Sequence, residues 1–416
     1  PEIFLDSRYA RIWTAIRTVA LAGVIPDPEA VAAELARTGE LDAAGGRAFV
    51  LTLYRPMSPG NTKFHTLAVM EAHMRRRAVE IGTKLADDGR SGDPFEVLQT
   101  GMDSIASSLQ FGGGRSQSMA EIIPAVHEKT VEMHKRRIAE GEDFVAGLST
   151  GFRDLNKNTS GYHPGDFVVL AGRPGMGKTA FAISTLTNLA LDGVPVGIFS
   201  LEMGKEQLAQ RIIAQYTGID IMNLRNANLS QSNWQVFNDS VARLAKMPLH
   251  IDDTPAITLF DLNVQARLWV ARHKIKLLVV DYLQLMSGIA VRGKSREQEV
   301  AEISKGIKEL AKAVGIPIIA LSQLSRAVET RGGDKKPLLS DLRESGSIEQ
   351  DADVVMFVYR PEYYGLNTYE DGSSTIGMAE VIIAKQRSGP VGPVMLGFRS
   401  YNAQFHDLPH PNSVPI

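Results

Sequence analysis

The sequence has no cysteine among its 416 residues, and this absence excludes several classes of protein. Disulfide-stapled folds, zinc ribbons and thiol catalysis all depend on cysteine, so none of them applies here. Nine scattered histidines are the remaining soft metal ligands. The lack of cysteine fits a reducing compartment, and we expect a cytoplasmic protein.

A strong net charge and long apolar runs are also missing. The formal net charge is −2, so a contact with nucleic acid would have to come from a local basic surface. No apolar run reaches about 18 residues and no signal-peptide pattern opens the chain, so we expect no membrane association. Because the chain begins at Pro1 inside a helical pattern, we expect its natural start to be missing.

Three regions of different texture follow one another along the chain. Residues 1–108 alternate amphipathic stretches with turn signals, which predicts a small all-helical domain. Residues 109–141 join a Gly- and Ser-rich linker to one helix, whose apolar stripe we expect to dock on another surface, such as a neighbouring subunit. In residues 142–416, eight β-rich runs separated by helical patterns predict an α/β domain with a mostly parallel sheet and antiparallel last strands.

The stretch VVLAGRPGMGKTAF, residues 168–181, carries the strongest chemical signal. An apolar strand pattern runs into closely spaced glycines, a lysine, a threonine and a helical pattern, which is the GxxxxGKT phosphate loop. Glycines let backbone N–H groups close around phosphate oxygens, while the lysine supplies charge and the threonine a hydroxyl for Mg²⁺. The residues assigned to nucleotide contact are Gly172, Arg173, Gly175, Gly177, Lys178, Thr179 and Ala180.

A second literal match, GIAVRGKS at residues 288–295, is interpreted as a solvated charged loop. It is separated from the preceding strand LLVVD, and that strand already ends in Asp281, whose carboxylate would repel a phosphate. The sequence therefore predicts one nucleotide site per chain.

Polar residues follow three predicted strands, at the edge where ligands of parallel sheets gather. Asp281 is placed to hold a magnesium ion and its waters, or else to cap a helix. Glu202, in FSLEM, is placed to activate a water molecule, or is a surface glutamate. Gln323, in IIALSQ, is placed to sense a γ-phosphate. The alternative is that Gln323 is an isolated residue without a functional role.

Two later segments carry cations. Lys385 and Arg387 lie two apart in IIAKQRSGP, so they share a strand face and could reach a phosphate bound by a neighbouring subunit; a solvated edge strand is the alternative. The polar segment 330–350 includes Arg331 and Arg343 and could follow a nucleic-acid backbone, or be a mobile loop.

Taken together, these motifs resemble the motor domain of DnaB-type replicative DNA helicases, a RecA-like hexameric ATPase family. The segments that carry the resemblance are AGRPGMGKTAF, FSLEM, VVDYLQLM, EISKGIKELAKAVGIPIIALSQLSRAVE, SDLRESGSIEQDADVVMFVYR and IIAKQRSGP, within residues 142–406. FLDSRYARIW and LDAAGGRAFVLTL resemble the small helical domain of the family less sharply.

The resemblance implies a RecA-like P-loop NTPase motor behind a small all-α domain and linker helix. It implies a homohexameric ring that moves 5′ to 3′ on single-stranded DNA with ATP and Mg²⁺, associates with the nucleoid, and meets a primase and a loader. Implied site residues are Lys178, Thr179, the base Glu202, the acid Asp281, the sensor Gln323, the finger pair Lys385 and Arg387, and Arg343, Glu344, Gly346 and Arg331 toward DNA.

The sequence departs from that family pattern in two places. YYGLNTYEDGSSTIGMAE, residues 363–380, is longer than a minimal strand connection, which indicates an insertion. The region around LYRPMSPGNTK matches weakly, which leaves the primase surface in doubt. Two other functions stay open, a recombinase-type DNA filament that uses ATP for assembly and a small-molecule P-loop kinase.

Overall fold

The computed structural model describes residues 4–21, 24–53, 62–109, 118–286 and 295–409. The chain divides into two compact units, Pro1–Ala125 and Val126–Ile416. Among the described residues, no helix combines the length and hydrophobicity needed to cross a membrane. The domain limits at 108 and 141 stay predictions.

The first unit is helical throughout its described residues, as the sequence predicts. Its helices are α1 (Ser7–Leu21), α2 (Pro28–Arg37), α3 (Gly46–Thr52), α4 (Thr62–Asp88) and α5 (Pro94–Leu109), and α6 (Met119–Glu140) crosses into the second unit. Asp27 caps α2 by accepting from the backbone of Ala30, with Pro28 in the first turn. A small core of Val31, Leu35 and neighbouring apolar residues joins α1, α2 and α3.

The second unit is built on one nine-stranded sheet. Its strands are β1 (Phe167–Gly172), β2 (Val196–Ser200), β3 (Leu249–Asp252), β4 (Leu277–Asp281), β5 (Ile318–Gln323), β6 (Val354–Tyr359), β7 (Met378–Gln386), β8 (Gly392–Arg399) and β9 (Gln404–His406). Their order is β3-β2-β4-β5-β1-β6-β7-β8-β9. The first six strands in this order pair in parallel, while β7, β8 and β9 pair antiparallel, so the predicted mixed sheet is confirmed.

Helices cover both faces of this sheet. They are α7 (Arg153–Thr159), α8 (Lys178–Leu191), α9 (Lys205–Thr217), α10 (Ile221–Arg225), α11 (Gln231–Leu244), α12 (Leu259–His273), α13 (Arg296–Val314), α14 (Ala327–Thr330) and α15 (Gly346–Asp351). Along β1 the side chains alternate between two apolar cores, with Val168 and Leu170 in one and Phe167, Val169 and Ala171 in the other. A strand buried on both faces needs an unbroken apolar run, which explains the sequence of β1.

The sheet order places β5 between the strand that precedes the phosphate loop and the strand that ends in Asp281. Gly172 at the end of β1 pairs with Gln323 at the end of β5, and Ser200 at the end of β2 pairs with Asp281 at the end of β4. The carboxyl ends of four parallel strands therefore meet at one edge, where the polar residues predicted from the sequence come together.

Candidate nucleotide site

The phosphate loop connects β1 to α8 through two glycines with left-handed backbone. Gly175 has φ of 81° and Gly177, the N-cap of α8, has φ of 99°. A Cβ at Gly175 would come within 2.6 Å of the Tyr363 hydroxyl. Because α8 begins at Lys178, its free backbone N–H groups point into the concave side of the loop. The sequence prediction of a strand, loop and helix is met here.

Lys178 folds back over the loop in this structure. Its Nζ donates to the carbonyl oxygens of Gly172, at 2.8 Å, and Arg173, at 3.3 Å. Burial lowers the pKa of Lys178 to about 8, against the opposing attraction of Asp281 and Glu202. A phosphate would replace two neutral carbonyl acceptors with an anion, so this ammonium gains more from a bound nucleotide than from its present partners.

Thr179 and Asp281 form the second part of the site. The Thr179 hydroxyl donates to Asp281 Oδ2 at 2.8 Å, which joins α8 to the end of β4. Asp281 is buried, and this burial raises its pKa to about 6, with the Thr179 hydrogen bond acting in the opposite direction. A buried carboxylate beside a hydroxyl is a hard-oxygen donor set. The residues therefore fit Mg²⁺.

Glu202 follows β2 and has an exposed side chain whose charge acts on both Lys178 and Asp281. The sequence reasoning missed Arg211, on α9, which feels the charges of Asp281 and Glu202. Burial lowers the pKa of Arg211 despite these two attractions. Arg211 belongs to no recognised motif, so only the folded position of α9 identifies it.

Gln323 stands at the end of β5, beside the phosphate loop, with an exposed side chain. Its backbone N–H donates to Gln284 Oε1 at 3.4 Å, and Gln284 Nε2 donates to the Ser322 hydroxyl at 3.0 Å. The sequence reasoning also missed Gln284, which ties the end of β5 to the turn after β4. Gln323 is thus held by its backbone, while its side chain is exposed at the end of β5.

The Arg173 side chain points away from the concave side of the loop. Its guanidinium donates to the Leu324 carbonyl at 2.6 Å and to Glu329 Oε1 at 2.8 Å. Any nucleotide contact of Arg173 therefore involves its backbone. Ala180 is buried in the first turn of α8, so its contact is also restricted to the backbone.

The chain matches two halves of one known family. Residues 147–407 match the DnaB-like helicase C terminal domain, and residues 1–71 match the DnaB-like helicase N terminal domain. The replicative DNA helicase DnaB of Geobacillus stearothermophilus is 37% identical over 97% of this chain and 87% of its own length. The replicative DNA helicase DnaC of Bacillus subtilis (strain 168) is 35% identical over the same shares. The chain belongs to the DnaB-like helicase family.

Solved structures agree with this membership. A structure of a DnaB-like replicative helicase and its interactions with primase is 30% identical, with a TM-score of 0.66 over 98% of this chain and 94% of its own. A second solved structure, of an isolated ATPase domain, is 34% identical, with a TM-score of 0.63 over 71% of this chain and 100% of its own. The fold class predicted from the sequence is confirmed, and the chain contains a DnaB-like ATPase domain.

In this DnaB-like chain, the predicted basic pair, Lys385 and Arg387, lies near the end of β7. It is at the opposite end of the sheet's strands from the phosphate loop. Because β7 is antiparallel to β6, Gln386 pairs with Val354 at the start of β6. The phosphate loop follows the other end of β1, six residues or about 20 Å along the strand direction. Neither Lys385 nor Arg387 is placed to reach the phosphate loop of its own chain.

The predicted DNA segment is more ordered in its backbone than a plain loop. It begins at the last residue of α14 and contains a 3-10 turn over Leu339–Ser345 and most of α15. The Arg331 guanidinium contacts Asp341 and donates to the Lys336 carbonyl at 3.1 Å, so a DNA phosphate would have to replace these partners. The side chains of Arg343 and Glu344, and the surroundings of Gly346, lie outside the described residues.

Three further sequence predictions concern loop segments, two of which lie mostly outside the described chain. The second loop-like match falls on residues 288–294, which lie outside it, and its last residue, Ser295, caps α13 with Gln298 in a capping box. In the predicted insertion, Thr368 and Ser374 form an isolated antiparallel bridge. The weak match around LYRPMSPGNTK falls mostly on residues 54–61, also outside the described chain.

Proposed function

We propose that this DnaB-like chain is an ATP-dependent replicative DNA helicase that works as a homohexameric ring. In this proposal, the ring moves 5′ to 3′ along single-stranded DNA and parts the duplex at a replication fork. The family membership supports the helicase activity. Its proposed place is the cytoplasm, at the nucleoid, where a primase and a loader would be its protein partners.

We also propose that each nucleotide site is shared between two subunits. The observation that supports this is that the cations lie at two opposite ends of the sheet's strands. One end of the strands carries Lys178, Thr179 and Asp281, and the opposite end carries Lys385 and Arg387. Phosphoryl transfer gains rate from a cation aimed at the transferring group. A ring of identical subunits would bring the pair of one protomer to the phosphate loop of the next.

The proposed roles follow the geometry of each side chain. Lys178 and the loop N–H groups would bind phosphate oxygens, and Thr179 and Asp281 would hold Mg²⁺, which neutralises charge on the phosphates. Glu202 would take the proton of the attacking water, and Gln323 would sense the γ-phosphate. The residues proposed to face DNA, on the family resemblance and the sequence of the segment, are Arg331, Arg343, Glu344 and Gly346.

Proposed DNA binding is sequence-independent, since cations and backbone amides track phosphates without reading bases. Binding should weaken steeply with salt because counterions are released from the DNA. The loss of γ-phosphate at Gln323 would reach the DNA-facing segment along the chain that follows β5.

A strand-displacement assay on forked DNA tests this function. The purified chain should release the labelled strand with ATP and Mg²⁺ when a 5′ single-stranded tail is available, and should fail with a 3′ tail alone. Lys178→Ala should bind the fork and release nothing, because the phosphate charge is no longer compensated. Strand release by Lys178→Ala, or release that needs only a 3′ tail, would contradict the proposal.

A further inference from the structure

The end of α15 is fastened to the strand that carries the basic pair. Lys385 Nζ donates to the carbonyl oxygens of Glu349, at 2.5 Å, and Ala352, at 2.8 Å, with Gln350 O at 3.4 Å. An ammonium among the last carbonyls of a helix makes charge-assisted hydrogen bonds at the negative end of the helix. Movement of α15 would therefore move Lys385 or break these bonds.

Asp353, two residues beyond the end of α15, contacts the second member of the pair. Asp353 Oδ1 lies 3.4 Å from Arg387 Nε, and the Arg387 backbone N–H donates to the Asp353 carbonyl at 3.2 Å. The Arg387 side chain is 58% exposed, whereas the Asp353 side chain is 10% exposed. Arg387 thus leans on a buried acid while its outer part faces solvent.

Asp353 is itself fixed from its other side. Its Oδ2 accepts from the Phe167 backbone N–H at 2.9 Å and from the Lys308 ammonium, which also donates to the Gly165 carbonyl at 3.0 Å. These partners lie at the start of β1 and on α13, which packs against the sheet. The carboxylate is therefore a fixed point against which a long, flexible arginine is oriented.

We propose that Asp353 is a positioning residue for Arg387, and that α15 links Lys385, the other member of the pair, to the DNA-facing segment. The inference rests on the proposed function, since it needs Arg387 to act on a neighbour's nucleotide. The 3-10 turn Leu339–Ser345 runs directly into α15, whose other end accepts hydrogen bonds from Lys385. DNA that shifts this turn would shift α15 and Lys385 with it, while Asp353 keeps Arg387 in place.

The arrangement is built for orientation more than for stability. An ion pair with a guanidinium that is more than half exposed contributes little to folding because solvent screens it. Orientation matters far more to rate, since a displacement of about 1 Å in a catalytic group can cost about a hundredfold. The guanidinium is planar and rigid, so holding its Nε edge also sets the direction of its remaining nitrogens.

Asp353→Asn in the full chain tests the inference. Asparagine keeps an acceptor for the Phe167 N–H and removes the charge that orients Arg387. We expect the DNA-stimulated kcat for ATP to fall by about tenfold or more, with KM for ATP and affinity for labelled oligothymidylate changed by no more than about twofold. Asp353→Glu should restore part of the stimulation, because it returns the negative charge.

A second variant separates positioning from folding. Asp353→Asn leaves the Lys308 ammonium without its acid, which is expected to lower the unfolding temperature. Adding Lys308→Met removes that stranded charge and should recover the unfolding temperature while DNA stimulation stays lost. If the double variant recovers DNA stimulation along with stability, Asp353 has only a structural role and the inference is wrong.

Arg387→Ala, measured alongside, distinguishes the two proposals. If Arg387→Ala loses DNA-stimulated turnover while Asp353→Asn keeps the parent's kcat, Arg387 acts in catalysis and the positioning role of Asp353 is overturned. If Arg387→Ala itself keeps full stimulation, the shared nucleotide site of the proposed function fails. Loss of stimulation in both variants, with DNA affinity retained, supports the positioning role of Asp353.

Discussion

At the residue scale, Lys178 and Asp281 hold opposite charges where few water molecules can solvate them. Burial lowers the pKa of Lys178 to about 8 and raises that of Asp281 to about 6, so each charged form is disfavoured in this pocket. A nucleotide with its cation would bring a phosphate to the lysine and positive charge to the acid. The pocket is therefore less stable without its ligand than a neutral one would be, a cost that functional sites commonly carry.

Asp281→Asn should make the nucleotide-free protein more stable at pH 7.5 and abolish ATP turnover. The folded-state pKa of Asp281, about 6, lies above its ordinary value of 3.8, so stability from this group is full below pH 3.8 and falls as pH rises through 6. Asparagine removes that fall, and at about 1.4 kcal/mol per pKa unit the gain is about 1–3 kcal/mol.

Chemical unfolding in EDTA, at pH 4 and pH 7.5, measures this effect. The variant's gain over the parent should be small at pH 4 and reach its full size at pH 7.5. Equal stability of the two proteins at both values would show that burial does not penalise this carboxylate. Thr179 keeps an acceptor in the asparagine oxygen, so loss of that hydrogen bond does not confuse the comparison.

At the element scale, the apolar runs and the glycine pattern predicted the parallel strands and the phosphate loop, because burial on both faces demands such runs. Strand β9 was missed since it has three residues and one apolar side chain, Phe405, which becomes buried only by packing on Phe181 and Phe398. The two-residue spacing drew attention to the basic pair. It could not reveal that Arg387 lies past the end of β7.

The residues that sequence reasoning missed or misplaced are the ones whose partners are distant in the chain. Arg211 acts on Asp281 because of where α9 packs, and Gln284, in the turn after β4, bonds to Ser322 on the adjacent strand β5. Arg173 belongs to the loop motif, yet its side chain bonds to Leu324 and not to the concave side of the loop. A local pattern specifies backbone shape well and carries no information about such long-range pairs.

Gly175→Ala should disable the phosphate loop as an element. A non-glycine residue with φ of 81° is strained by roughly 1–2 kcal/mol, and its Cβ would also press on Tyr363. We expect ATP binding to weaken by about tenfold or more, since 1.4 kcal/mol corresponds to a factor of ten. Fluorescent-nucleotide titration and thermal unfolding measure the two consequences separately.

Gly193→Ala is the matched control for this loop variant. Gly193 also has positive φ, 77°, but it follows the far end of α8 and has open space where a Cβ would go. It should lose similar stability and bind ATP normally. If both variants lose ATP binding equally, the effect belongs to overall stability. Adding Tyr363→Ala to Gly175→Ala should relieve the contact and leave the backbone strain, so only partial recovery is expected.

At the scale of the whole molecule, several surfaces are suited to a neighbouring copy. Helix α6 carries exposed apolar side chains at Met119, Ile123, Val126, Val131 and Ile138. An apolar stripe on a helix gains stability by packing against a partner surface, which supports the proposed docking of this helix on a neighbouring subunit. The phosphate loop and the basic pair lie at opposite ends of the strands, which also favours an assembly of identical subunits.

Mixing two inactive chains tests directly whether the nucleotide site is shared between subunits. Glu202→Ala removes the proposed base while keeping Lys385 and Arg387, and Arg387→Ala keeps the phosphate loop and the base. Each variant alone should have little DNA-stimulated ATP turnover. In mixed rings, an Arg387→Ala subunit that receives the intact pair of a Glu202→Ala neighbour has every proposed group. With random assembly of equal amounts, about a quarter of the interfaces should be complete and should recover activity in proportion.

The control for this mixture is a chain carrying both substitutions. Mixed with Arg387→Ala subunits, the double variant offers no intact arginine, so no interface is complete and turnover should stay at the level of the single variants. Activity measured against mixing ratio should rise and fall about a maximum near equal amounts. If no ratio of the two single variants restores turnover although native mass spectrometry shows mixed rings, the proposal that the site is shared between subunits is wrong.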